Sequence, residues 1–151
     1  MLKISIPVLL ILTLSSCKKE EEPINLFDTN QLKGTWIEQS YKYEHFDASN
    51  IKIFEEIHDN AFIDKIDIGE STVQIFFPAG GSDQANYTLG VENGKIIITI
   101  IANNINAEKN EIIDFTDNKM IWQLTNPHGT YRENGMRKVS DHYIRTITFS
   151  R

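Results

Sequence analysis

VENGKIIITII, residues 91–101, decides the fold of this chain. Asn93 and Gly94 stand between two strand-like runs, and this dipeptide is the strongest short hairpin signal because both central residues of the tight turn must accept positive φ. Related arrangements recur in FTDNKMIWQL, residues 115–124, and in YRENGMRKV, residues 131–139. Three hairpins in succession predict an antiparallel meander.

Short strands separated by turn residues account for most of the chain after residue 34. The predicted strands cover residues 35–44, 63–69, 72–77, 86–92, 95–102, 110–116, 119–125, 129–133, 136–140 and 142–150. Short strands at a spacing of roughly 8–12 residues favour a sandwich or a barrel. A meander removes its exposed edges best by closing on itself, so we predict an all-β, up-and-down antiparallel β-barrel of 8–10 strands.

Two segments depart from the strand pattern. LFDTNQLKG, residues 26–34, predicts a short helical turn with Asp28 as its N-cap and Gly34 as its end. In residues 49–62 the apolar positions fit both helical and alternating spacing, so helix and strand stay open there.

The first residues are typical of a signal peptide. Residues 1–16 carry one charge, Lys3, followed by a short apolar run that is too brief for a membrane-spanning helix of roughly 20 residues. Leu14-Ser15-Ser16-Cys17 then resembles the lipobox of bacterial lipoproteins, which implies cleavage before Cys17 and lipidation of that cysteine. The alternative is a plain signal peptide with a cysteine near its cleavage site.

The segment after Cys17 is dense in charge. Residues 17–25 are interpreted as the lipidated cysteine and a solvated tether, and residues 26–151 as one barrel domain. The residue after Cys17 is Lys18 and not the aspartate that would resemble an inner-membrane retention signal, so the outer membrane is favoured. The run of lysines followed by glutamates resembles a signal for export to the cell surface. The alternative is an ordinary flexible linker.

The charge of the mature chain limits its partners. Without residues 1–16 the chain has 14 basic and 21 acidic residues, a net charge of minus 7. Such a surface gains nothing from phosphate backbones, so we expect no nucleic-acid partner. Cys17 is the only cysteine, so no disulfide stabilises the domain. We expect a monomer held on the membrane through its lipid.

LKGTWIEQSY, residues 32–41, carries a second resemblance. Gly34-Thr35-Trp36, between a helical turn and the first strand, resembles the start of the calycin barrels, and the nearest group is the lipocalin-like domains of bacterial lipoproteins. The resemblance implies that Gly34 turns the chain into the first strand and that Trp36 plugs the closed end. It also implies a cation from the last strand across the tryptophan, and Arg151 fits that position; the alternative is a frayed terminus.

The last strand also supplies candidate ligand-binding residues. Alternation places Tyr143, Arg145, Ile147 and Phe149 on one face, which we expect to point inward. Tyr143 and Arg145 could then bind a carboxylate, as an arginine and a tyrosine do in fatty-acid-binding proteins, although the order here is reversed. The alternative is an arginine that faces solvent.

No pattern in the chain indicates an enzyme. His45-x-Asp47 and Glu55-x-x-His58 could each supply two metal ligands, but each pair stands alone, so structural roles are favoured and neither a metal nor a cofactor is expected. No serine sits in a Gly-x-Ser-x-Gly elbow, and no glycine-rich phosphate loop is present in the sequence.

These observations lead to two functional hypotheses. The first is a lipid-anchored, non-enzymatic binder of a small apolar or amphipathic molecule inside the barrel. The second is a structural or interaction lipoprotein that binds a protein or glycan through its loops. Its barrel would be filled by side chains such as Phe76, Phe77, Phe115 and Trp122.

Overall fold

The fold is a closed antiparallel β-barrel preceded by one short helix. The computed structural model describes residues 28–59, 61–102 and 107–151. Its elements are α1 (Thr29–Leu32), β1 (Gly34–Phe46), β2 (Lys52–His58), β3 (Lys65–Ile68), β4 (Thr72–Phe76), β5 (Ser82–Glu92), β6 (Lys95–Ile101), β7 (Glu108–Thr116), β8 (Lys119–Glu133) and β9 (Met136–Ser150). The predicted signal peptide, Cys17 and the predicted tether lie outside the described residues.

The barrel closes because β1 pairs along both of its edges. One edge pairs with β9, from Ile37 opposite Ser150 to Phe46 opposite His142. The other edge pairs first with β3 and, further along, with β2. From β3 to β9 every strand pairs with the next one in sequence, so eight strands form the ring and β2 extends the edge of β1 beyond it. The predicted up-and-down antiparallel barrel is confirmed.

Tight turns join the hairpins that the sequence indicates. Asn93 and Gly94 have φ of 53° and 77°, and Asn134 and Gly135 have φ of 52° and 79°, as the turn logic requires. The turn between β7 and β8 differs from these two turns, because neither Asp117 nor Asn118 has a positive φ.

The structure decides one segment that the sequence left open and corrects two predicted strand breaks. The segment left open between helix and strand forms β2. The predicted breaks near residues 126–128 and at residue 141 are wrong: β8 and β9 are each continuous. The pairing register stays constant across Pro127, from Asn126 opposite Tyr143 to Gly129 opposite Ser140. Pairing with β9 on both sides of the proline therefore keeps β8 continuous. This long hairpin projects past the ring beside β2.

The helical turn forms with the expected cap. Asp28 Oδ1 accepts a hydrogen bond of 2.9 Å from the backbone N–H of Asn30, and the helix ends at Leu32, which is fully buried. Gly34 then opens β1 with a φ of +119°, a conformation that a residue with a side chain rarely adopts.

One end of the barrel is packed solid. Trp36 and Phe149 are 0% exposed, and Trp36 packs on Phe115 with a ring-centroid distance of 5.6 Å. The buried cluster of the described residues runs from Leu32 to Phe149, and all eight ring strands lie after residue 33, so residues 24–151 contain the complete ring. The expectation that Phe76 fills the interior is wrong: alternation directs Val73 inward, and the Phe76 ring lies under Lys65 Nζ at 4.4 Å.

Candidate ligand-binding site

Arg151 seals the packed end of the barrel. Its guanidinium carbon lies 4.3 Å from the centroid of the Trp36 ring. The same group donates to the carbonyls of Gln31 at 3.0 Å and Lys33 at 3.1 Å, and also to that of Asp117. Trp36 Nε1 donates to the carbonyl of Leu32 at 2.8 Å. Arg151 therefore links the helical turn and the turn after β7 to the end of the last strand.

Toward the other end the barrel is hollow. A partly enclosed cavity of about 250 Å³ lies inside it, and four polar residues and nine apolar ones line its wall. The apolar lining residues are Phe62, Ile63, Ile75, Phe77, Ala85, Ile100, Ala102, Trp122 and Ile147. A mostly apolar wall with a few polar groups is the usual composition of a small-molecule pocket.

Arg145 reaches this cavity from β9. It shares the inward face with Ile147, which is 2% exposed, and its own side chain is 15% exposed. The guanidinium forms an ion pair with Glu108, which also lines the cavity. Arg145 is therefore an interior residue whose charge already has a partner.

Three residues that line the cavity each carry a buried side-chain donor with no acceptor among the described residues. They are Nε of Arg145, Nδ2 of Asn110 and Nε1 of Trp122. Asn110 is 1% exposed and Trp122 is 2% exposed. A buried donor without an acceptor costs free energy, so native proteins rarely leave one unpaired. Sequence reasoning missed Asn110, although a polar residue on the apolar face of a predicted strand is a usable signal.

Glu38 fixes one side of the cavity wall. The carboxylate is 5% exposed and accepts hydrogen bonds from the backbone N–H groups of Phe62 at 2.9 Å and Ile63 at 2.8 Å. Burial raises the pKa of Glu38, while these two hydrogen bonds and the charge of Arg145 act in the opposite direction. Glu38 thus holds Phe62 and Ile63, which both line the cavity.

Tyr143 lies in a different place from Arg145. It borders a second, more open cleft of about 420 Å³ beyond the ring, formed by β1, β2 and the long hairpin. Tyr43, Glu56 and His128 also line this cleft. The Tyr143 hydroxyl accepts a hydrogen bond of 2.7 Å from Asn126. The two residues proposed from sequence as one carboxylate site therefore do not border the same cavity.

The wall of this cleft is an aromatic cluster around His45. The imidazole is 3% exposed, its Nδ1 lies 2.9 Å from Ser140 Oγ, and its ring is 4.9 Å from that of Tyr131. Tyr131 in turn stacks on Phe54 at 4.5 Å. Burial lowers the pKa of His45, and the nearby charge of Glu56 opposes that effect. His45, on β1, thus packs against Tyr131 and Ser140 of the projecting hairpin.

The two metal-ligand pairs considered from sequence do not assemble. Asp47 lies beyond β1 and accepts backbone hydrogen bonds at 2.9 Å within the following turn. Glu55 and His58 lie on opposite faces of β2, because the segment is a strand. Within the described part of the chain no group of three or more His, Cys, Asp or Glu residues could hold a metal ion.

Comparisons of this chain with models of protein families, with curated proteins and with solved structures find no match. Among the helices of the described residues, none has the length and apolar character needed to cross a membrane.

Proposed function

We propose that this protein is a lipid-anchored, non-enzymatic binder of a small apolar or amphipathic molecule, which it holds inside the barrel. The observation that carries the proposal is the interior cavity of about 250 Å³, with its mostly apolar wall and the four polar residues that interrupt it. A small-molecule pocket usually combines a mostly apolar wall with a few polar groups that orient the ligand, and the lining of this cavity has that composition.

The size of the cavity restricts the ligand. A volume of about 250 Å³ is slightly below the range of roughly 300–1,000 Å³ for pockets that take drug-sized ligands. Burying apolar surface contributes roughly 25 cal/mol per Å², so a compact molecule can gain useful affinity from this wall. We therefore expect a short or ring-shaped ligand in place of a long acyl chain.

The sequence supports the cellular setting of this proposal. The lipobox-like residues before Cys17 and the charged tether after it favour a lipoprotein of the outer membrane, exposed at the cell surface. The glycine and tryptophan of the Gly34-Thr35-Trp36 start, with Arg151 across the ring, support membership of the lipocalin-like group. We propose a monomer with no nucleic-acid partner.

Native mass spectrometry tests the binding function directly. Residues 24–151 are incubated with a lipid and metabolite extract of the host cell, and a defined added mass is expected. Ala85→Leu, which fills part of the cavity, should abolish that mass, whereas Ala79→Leu in the exposed turn after β4 should retain it. If no mass is added, or if Ala85→Leu retains it, the interior is not the binding site.

One observation favours the second hypothesis, an interaction lipoprotein. The cleft beyond the ring, with Tyr43 and Tyr143 in edge-to-face contact at 5.7 Å, offers aromatic surface to a glycan or a protein. Replacing Arg137, an exposed residue of this cleft, by alanine would then weaken capture of the partner and leave small-molecule binding unchanged.

A further inference from the structure

Two arginines stand directly opposite each other on the projecting hairpin. Arg132 of β8 pairs with Arg137 of β9, and both residues are exposed. Residues that are directly opposite in an antiparallel pair lie on the same face, with Cβ atoms about 4.5–5.5 Å apart, and like charges at such positions destabilise the pairing. These two residues, the arginine pair, therefore concentrate positive charge on one exposed face of the hairpin.

The arginine pair has no anionic partner within the described part of the chain. Every lysine there forms an ion pair with an aspartate or a glutamate, and Arg145 pairs with Glu108. Arg151 donates to three backbone carbonyls. Of the basic residues that the structure describes, only Arg132 and Arg137 have neither kind of contact. The two charges that lack a partner are thus the two that stand together.

The acidic residues of the hairpin do not neutralise the arginine pair. Glu133 forms an ion pair with Lys138, and Asp141 Oδ2 lies 3.1 Å from Nδ1 of His142. The chain as a whole has a net charge of −6, so an uncompensated positive site stands out from the rest of its charge. An anion from outside the chain would neutralise it. Guanidinium groups present N–H donors in a planar fork that matches the two oxygens of a carboxylate.

The cleft beyond the ring begins at the arginine pair, because Arg137 is one of its lining residues. In contrast to the interior cavity, every residue that lines the cleft except Gly129 carries a hydroxyl, imidazole, carboxylate or guanidinium group. His128 and Thr130 are exposed, and Tyr43 and Tyr143 are partly exposed, so an occupant can reach this lining. A cleft of about 420 Å³ with such a lining suits a ligand rich in hydroxyl groups, with tyrosine rings for its apolar face.

We propose that the arginine pair and the cleft bind an acidic saccharide, with the carboxylate of the sugar on the two guanidinium groups and its hydroxyl-bearing ring in the cleft beside Arg137. This site is separate from the interior cavity and goes beyond the small-molecule binding proposed above. It gives the interaction hypothesis a ligand class. A neutral glycan leaves the arginine pair without an anion, and an acidic peptide lacks the ring of hydroxyl groups that the polar cleft would hold.

Binding to uronate polymers tests the proposal. The full chain in a non-ionic detergent is applied to immobilised polygalacturonate and alginate, whose sugars each carry a carboxylate. Each polymer is compared with its carboxyl-reduced form, in which a hydroxymethyl group replaces the carboxylate. Biolayer interferometry measures the dissociation constants. We expect at least one uronate polymer to bind about tenfold more tightly than its reduced form. Raising NaCl from about 0.05 M to about 0.5 M should weaken that binding, because salt screens exposed charges.

Variants of the exposed hairpin face locate the site. Arg132→Gln combined with Arg137→Gln should weaken uronate binding about tenfold. Lys95→Gln combined with Lys109→Gln removes the same number of exposed charges from β6 and β7, and this control should change binding by less than about twofold. Arg132→Lys combined with Arg137→Lys keeps the charges without the planar fork, so its affinity should fall between those of the unaltered chain and the glutamine variant.

Four results would overturn the inference. In two of them, the reduced polymers bind as tightly as the uronates, or the double glutamine variant binds uronate like the unaltered chain; the arginine pair is then not a carboxylate site. In the third, poly-L-glutamate binds as tightly as the uronates, which favours an acidic peptide over a saccharide. In the fourth, neither uronate polymer binds. None of these results decides the interior binding function, which Ala85→Leu and the extract measurement test separately.

Discussion

Trp36 and Arg151 stack on each other at the packed end of the barrel, and replacing either residue should lower the free energy of unfolding. The Trp36 side chain is fully buried, so Trp36→Ala should lower the free energy of unfolding by about 3–5 kcal/mol. Arg151→Met removes a stacked cation, worth about 0.5–1 kcal/mol at an exposed site, and hydrogen bonds to three carbonyls. Because these bonds are exposed, we expect a total loss of about 1–3 kcal/mol for Arg151→Met.

Urea unfolding of residues 24–151, followed by circular dichroism and extrapolated linearly to water, measures these losses. Arg132→Met, at an exposed position on β8, is the matched control and should change the free energy of unfolding by less than about 0.5 kcal/mol. The double variant should lose about 0.5–1 kcal/mol less than the sum of the single losses, because Arg151 cannot stack on a missing ring. A loss below about 1 kcal/mol for Trp36→Ala, or strict additivity, would refute this account of the closed end.

Three further predictions concern other parts of the molecule. Burial raises the pKa of Glu38, so the contribution of Glu38 to stability is greatest below its unfolded pKa of about 4.3 and is lost as the pH rises through the folded pKa. The free energy of unfolding relative to that of Glu38→Gln should therefore fall between pH 4.5 and 7. Urea titrations that show a constant or rising difference would contradict this expectation. Gly129→Ala places a Cβ on Ser140 Oγ and should cost about 1–3 kcal/mol in a thermal or urea melt, whereas Gly90→Ala, with no atom within 4 Å of its Cβ, should be nearly neutral; equal effects would show that the hairpin tolerates the methyl group. Cys17→Ser should release the protein from the membrane fraction of the cell, and a variant that still sediments with the outer membrane would exclude the lipid anchor.

The barrel was predictable from local chemistry because its hairpins are encoded locally. Asn93-Gly94 and the apolar runs beside it specify two strands and their connection without any distant contact. The continuity of β8 was not predictable in the same way. Pro127 reads as a break, and only the pairing with β9 on both sides of it keeps the strand intact.

The candidate site was predictable only in part, because it depends on which side chains meet across strands. Alternation along β9 identifies Arg145 as inward, but it cannot show that Tyr143, two positions earlier on the same face, borders a separate cleft beyond the ring. The partner of Arg145 is 37 positions away in the chain, and Asn110 is placed by the register of β7 on β8. No single window of sequence contains these relations.

The contact of Arg151 with the helical turn also places both ends of the described chain at the packed end of the barrel. The C-terminal residue and the first described residues meet at the packed end, since Arg151 donates to the carbonyls of Gln31 and Lys33. If Cys17 carries the lipid anchor proposed above, the chain comes from the bilayer to that end of the barrel. The cavity and the projecting hairpin would then face away from the bilayer. A dissolved ligand would reach the cavity from the medium, and the packed end would lie between the cavity and the lipid.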